Sequence, residues 1–75
     1  MMIEKYYRLR RKDIAIVQYI IEGYEGMASV TTIDPGIAII KISLMKDFVS
    51  IMEDVIADLK NKYAMEEIIS PPIIQ

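Results

Sequence analysis

The chain contains no cysteine, no histidine and no tryptophan, and only three glycines, three prolines and one phenylalanine in 75 residues. Without cysteine there is no disulfide staple and no thiolate nucleophile, and without histidine there is no imidazole base. Together the two absences remove the nitrogen and sulfur ligands of a zinc-type site, so neither a metal nor a cofactor is expected. No run approaches the ~20 apolar residues of a membrane span. The opening Met1-Met2-Ile3-Glu4-Lys5 lacks the basic-then-apolar order of a secretory signal, and a cytoplasmic location is expected. No repeat, linker or second domain is visible, so residues 1–70 are read as one domain and 71–75 as a short tail.

What is present is apolar. Hydrophobic residues make up 53% of the chain and isoleucine alone appears sixteen times. A domain of this size buries barely enough surface to offset chain entropy, and small domains usually add a disulfide, a metal or a partner subunit. The first two are excluded, so surplus apolar surface points to a homo-oligomer, most simply a dimer. The net charge of −2 is unevenly spread. Residues 1–12 hold Lys5, Arg8, Arg10, Arg11 and Lys12 against Glu4, whereas the remainder is strongly acidic. A local basic patch is implied, but not a generally basic protein.

Residues 3–10 alternate as a strand, with Ile3, Tyr7 and Leu9 on one face and Glu4, Tyr6, Arg8 and Arg10 on the other. Asp13 stands where a side-chain oxygen caps a helix, and Ile14, Val17, Ile20, Ile21 and Tyr24 recur at helical spacing towards a stop at Gly26, with Gly23 weakening the last turn. The β-branched segment 27–33, the turn Asp34-Pro35-Gly36 and the segment 37–44 predict an antiparallel hairpin, with Ala38, Ile40, Ile42 and Leu44 facing one way. Phe48, Ile51, Met52, Val55, Ile56, Leu59 and Tyr63 form the apolar stripe of a second helix. Residues 65–69 read as a short last strand or a loop, and Pro71-Pro72 bars any continuation of a ladder, leaving Ile73-Ile74 as a short apolar tail.

Strand, helix, hairpin, helix, strand is the order of an α+β ferredoxin-like βαββαβ sandwich: a four-stranded antiparallel-type sheet with two helices on one face. The other face is then open and displays Tyr6, Arg8 and Arg10 beside Ile37, Ile39 and Lys41. Of these, Tyr6, Arg8, Ile37, Ile39 and Lys41 are the expected interface residues.

No catalytic constellation emerges. Glu22, Glu25, Glu53, Asp54 and Asp58 fall on outer helix faces, where carboxylates are ordinarily solvated, and Asp58 with Lys62 is an i,i+4 pair. The run Glu22-Gly23-Tyr24-Glu25-Gly26 ends a helix instead of opening one and lacks the Lys and Ser/Thr of a P-loop. The basic stretch shares a face with Tyr6, as nucleic-acid platforms do, but the third strand offers no aromatic for a second base to stack on. Six methionines are better accounted for as core filling than as an adaptable groove. Tyr7 and Tyr24 read as core aromatics, with Tyr6 and Tyr19 free for a partner.

Taken together, Tyr6-Tyr7-Arg8, Lys12-Asp13-Ile14-Ala15, Glu22-Gly23-Tyr24-Glu25-Gly26 and Thr31-Thr32-Ile33-Asp34-Pro35 resemble a small bacterial family known only as a domain of unknown function, over about residues 4–63. That resemblance implies a compact stand-alone domain and brings no catalytic residues. More distantly, the element order and the Asp13-opened helix are similar to ACT domains, which bind amino acids or other small effectors at subunit interfaces. Where ACT domains place a glycine between first strand and first helix, this chain has Arg10-Arg11-Lys12-Asp13.

The expected function is therefore a non-enzymatic, self-associating, ACT-like module that binds a small molecule or regulates a partner. Arg10, Arg11, Lys12 and Asp13 are the candidate ligand residues for an anionic effector, where cationic groups meet free helix amides. The alternatives are an adaptor that docks another protein on the open face or an edge strand and, with less support, an RNA-binding domain.

Overall fold

In the computed structural model, which describes residues 2–69, the opening alternation becomes strand β1 (Met2–Arg8). A single 3-10 turn over Arg11–Asp13 leads into helix α1 (Ile14–Glu22). Strands β2 (Ala28–Asp34) and β3 (Ile39–Met45) form the hairpin. A second 3-10 turn over Lys46–Phe48 enters helix α2 (Val49–Tyr63), and β4 (Glu66–Ile68) closes the sheet. The ambiguous segment near residue 65 is thus a strand, three residues long.

The sheet runs β2-β3-β1-β4, and every neighbouring pair is antiparallel. β3 has a neighbour on each side, and Ile40, Ile42 and Leu44 are fully buried on its core face. Against them lie Tyr7 and Leu9 of the first strand segment, Val30 of β2, Val17 and Ile21 of α1, and Met52, Ile56 and Leu59 of α2, all in one cluster. Because strand side chains alternate between faces, a single cluster shared by both helices places them on the same side of the sheet.

Local chemistry explains where the elements depart from the sequence pattern. α1 ends at Glu22, four residues before Gly26, with Gly23 as its last cap in ordinary helical geometry (φ −64°). The left-handed residue is indeed Gly26 (φ 79°), but it serves the following turn. Asp13 does not cap α1: its backbone is already in the 3-10 turn and its side chain makes no capping bond. In the hairpin, Asp34 Oδ1 accepts the Gly36 and Ile37 amides (2.8 and 3.3 Å), which folds the turn back on itself. A bulge falls between Thr32 and Asp34, and Ala38 takes a left-handed conformation (φ 58°) before β3 begins. Ile37 and Ala38 therefore belong to the turn and not to the third strand. Ile51, placed by its spacing on the buried stripe of α2, is half exposed.

Ala64 ends α2 in the left-handed region (φ 52°) and is exposed. A Cβ in that conformation costs about 1 kcal/mol, which glycine avoids. Ala64→Gly is expected to raise the thermal midpoint by a few degrees in a melt followed by circular dichroism; an unchanged or lower midpoint would show that the cap is not strained.

No helix among the described residues is long and apolar enough to cross a membrane. Residues 70–75, including the Pro71-Pro72-Ile73-Ile74 tail, lie outside the described residues.

Candidate functional site

Two corners of the fold collect charged side chains. The first is built where β1 ends. The Leu9 amide donates to the Ala38 carbonyl at 3.1 Å, which docks the hairpin turn onto the residues leading to α1. Arg11 Nη2 fastens the same junction by donating to the Gly36 carbonyl at 3.1 Å. Asp13, buried, accepts from Arg10 Nε at 3.1 Å, while its amide donates to the Arg10 carbonyl at 2.9 Å. The helix cap expected of Asp13 is replaced by this latch, which offsets the cost of sinking a carboxylate with a charge-assisted bond.

The outcome is a hollow of about 300 Å³ lined by Arg8, Leu9, Arg10, Ile37, Ala64 and Glu66. Arg8 Nη2 pairs with Glu66 Oε1 at 2.8 Å. Both arginines are well exposed, and exposed pairs of this kind are worth about 0–1 kcal/mol. Each guanidinium has five N–H donors, so donors remain after its carboxylate is satisfied. The structure thus joins members of both expected groups: Arg8 and Ile37 from the interface set meet Arg10 from the ligand set, with Arg11 alongside. Lys12 does not line the hollow, and Asp13 is tied up beneath Arg10.

The rest of the expected interface set is less free than alternation implies. Ile39 does stand on the sheet face away from the helices, but it is only 3% exposed, between its pairing partners Arg8 and Asp34. Lys41 is tied to Glu4 at 3.3 Å, next to its cross-strand partner Tyr6, which is half-buried. Charged cross-strand pairs therefore cover much of this face. Tyr19 is the freest aromatic, at 77% exposure, and it sits on α1.

The second corner was not evident from the chain. Lys5, Tyr7, Glu53, Ile56, Ala57, Lys60 and Glu67 line a cleft of about 150 Å³ between β1, β4 and α2. Lys5 Nζ pairs with Glu53 Oε2 at 3.3 Å, and Glu67 lies opposite Tyr7 in the β1–β4 ladder. One sign of it was available: the alternation that turns Ile3, Tyr7 and Leu9 inward also turns Lys5 inward, to the rim. Burial, then the charges of Glu67 and Glu53, push the Tyr7 hydroxyl up to about 12 from 10.0. Tyr7 is therefore a neutral hydroxyl at physiological pH and no proton acceptor.

The sign of the pH effect follows directly. Between pH 10 and 12 an unfolded chain has released this proton while the folded chain retains it, so the contribution is complete below pH 10 and is lost as pH rises through about 12. Denaturant midpoints should fall over that interval in the natural chain and fall less in Tyr7→Phe. Equal falls in both would contradict the assignment.

No group of three or more acidic, histidine or cysteine side chains that could hold a metal ion occurs among the described residues. A four-stranded antiparallel sheet carrying two helices on one face defines a small α+β domain. Its residues 7–62 match the profile of a family described as a domain of unknown function, DUF4911, and the chain belongs to that family. No curated protein and no solved structure matches it.

Proposed function

We propose that this chain is a non-enzymatic, self-associating binding module of ferredoxin-like, ACT-like architecture, and that its ligand is a small anion carrying a carboxylate or phosphate together with an apolar part. The strand order β2-β3-β1-β4, with both helices on one face, supports the architecture. One observation carries the ligand class: Arg8 and Arg10 share a hollow with Ile37, with Arg11 at its side. Guanidinium groups bind carboxylate and phosphate oxygens through paired donors, and Ile37, half exposed, offers an apolar wall. The carboxylates now on Arg8 and Arg10 are exchangeable partners in the sense that a ligand oxyanion can share the same fork.

The test is a titration of isotopically labelled protein with inorganic phosphate, followed by amide chemical shifts. Saturable shifts confined to residues 8–13 and 36–38, weakened at least tenfold in an Arg8→Ala variant, are the expected result. Diffuse, non-saturating shifts, or unchanged binding in the variant, would overturn the ligand class. Nucleic acid has less support, because Tyr6 has Lys41 and Ile68 as its cross-strand neighbours and no second aromatic beside it on the sheet.

A further inference from the structure

The helix layer has a feature that neither charged corner explains. Along its nine residues α1 has no charge before Glu22 and, tyrosine apart, one polar side chain, Gln18. Val17 and Ile21 are buried against the sheet, but Ile16 and Tyr19 are exposed on the opposite side, where a surface helix ordinarily turns its polar residues. A helix that is apolar all round is normally covered all round. Here only the inner side is covered.

The uncovered side borders a groove. Each helix packs on the sheet, α1 on β2 and α2 on β3. Between the helices lies a hollow of about 390 Å³ whose apolar walls are Ile20 and Tyr24 on one side and Val55 and Leu59 on the other. A neighbouring hollow of about 320 Å³, bounded by Tyr19, Glu22 and Gly23, shares Ile20 with it. Ile16 stands one turn before Tyr19 and Ile20 on α1, and the half-exposed Ile51 one turn before Val55 on α2. Apolar strips therefore run along both helices.

The charge of the groove decides what covers it. Asp54 and Asp58 line it, Glu22 stands at its α1 side, and Lys62, the one cation among these lining side chains, already lies 3.6 Å from Asp58. A second copy laid face to face would set these carboxylates against themselves, because an isologous contact repeats the same patch on both sides. Like charges opposed in this way suppress a partner, and opposite charges steer one in.

We infer that the groove between α1 and α2 takes an amphipathic helix of a different protein, with leucine or isoleucine on one face and lysine or arginine flanking it. The apolar face lies on Tyr19, Ile20 and Val55, and the flanking cations reach Asp54, Asp58 and Glu22. Recognition of this kind reads apolar anchors spaced i, i+3 or i+4, i+7. From Ile51 to Lys62 α2 runs about 16 Å, room for three such anchors. This docking face is separate from the arginine hollow and requires neither its ligand nor self-association.

The probe is a synthetic peptide of about 14 residues, four helical turns, with leucine and lysine at amphipathic spacing. It is titrated into isotopically labelled protein and followed by amide chemical shifts, beside a scrambled peptide of the same composition and a leucine–glutamate counterpart. Expected are saturable shifts confined to residues 16–24 and 51–62, weakened roughly tenfold both in an Asp54→Lys, Asp58→Lys variant and in Tyr19→Ser. All three residues are exposed, so both variants should keep the circular dichroism spectrum of the natural chain. Equal binding of the scrambled peptide overturns the helical occupant, and equal binding of the leucine–glutamate peptide overturns its basic character. Shifts centred elsewhere, or unchanged binding in either variant, overturn the groove. Shifts centred on Tyr19 and Val55 when the protein alone is diluted would give the face to a second copy and overturn the inference as well.

Discussion

Ile42→Ala should abolish cooperative folding or lower the thermal midpoint by roughly 15 °C, because it opens a cavity at the centre of the sheet. Ile42 is fully buried on β3, between Lys5 of β1 and Val30 of β2 in the ladder, and beneath both helices. Removing three buried carbons from such a site costs about 3 kcal/mol. A domain of this size rarely holds more than about 3–5 kcal/mol in total, so the substitution removes most of it. Ile51→Ala is the informative contrast. It removes the same atoms from the same kind of residue, yet Ile51 is half exposed and the cost should stay within about 0.5 kcal/mol. Comparable losses from the two substitutions, measured by urea denaturation, would contradict the placement of the core.

The second large effect is a dependence of stability on protein concentration. If folding and association are coupled, each tenfold increase in concentration stabilises the dimer by about 1.4 kcal/mol, and the thermal midpoint of a pair of such chains rises by roughly 4 °C. Melts spanning three decades of concentration should show this trend. A midpoint independent of concentration in the natural chain would mean that the small core suffices by itself. In that case the apolar side chains left exposed, among them Met2, Ile16, Tyr19 and Ile51, would not be required to meet another subunit for stability.

Much of the scaffold was legible because it is written in short periods. The inward Ile40, Ile42 and Leu44 of β3, the Met52, Ile56 and Leu59 stripe of α2 and the Asp34-Pro35-Gly36 turn each depend on neighbours within a few positions. What was not legible depends on contacts across the chain. The Lys5–Glu53 and Arg8–Glu66 pairs join residues 48 and 58 positions apart, so no local pattern announces either pairing. Asp13 has the chemistry of a helix cap, but a 3-10 turn brings Arg10 within reach first, and the charged partner takes the carboxylate. Ile51 shows the opposite limit: its spacing fits the stripe, but α2 has only one sheet to cover and the flank of the stripe stays outside. The bulge after Thr32 and the left-handed Ala38 shift the hairpin by two residues, moving Ile37 from the sheet face into the turn that lines the arginine hollow.

The two corners divide the work of the domain differently. In the cleft beside Tyr7, Lys5 and Glu53 occupy one another near a hydroxyl held neutral. Beside Arg8 and Arg10, cationic charge exceeds what Glu66 and Asp13 return, since Arg11 spends its bond on a carbonyl. That excess, next to an exposed isoleucine, is what separates the arginine hollow from the Tyr7 cleft and is the basis of the proposed ligand class.

Native mass spectrometry of gently purified protein tests the central claim most directly, because one spectrum reads both subunit number and retained small molecules. The account predicts a dimer carrying the added mass of a small anionic compound, with that mass lost in the Arg8→Ala variant while the dimer persists. A monomer with no added mass would contradict it.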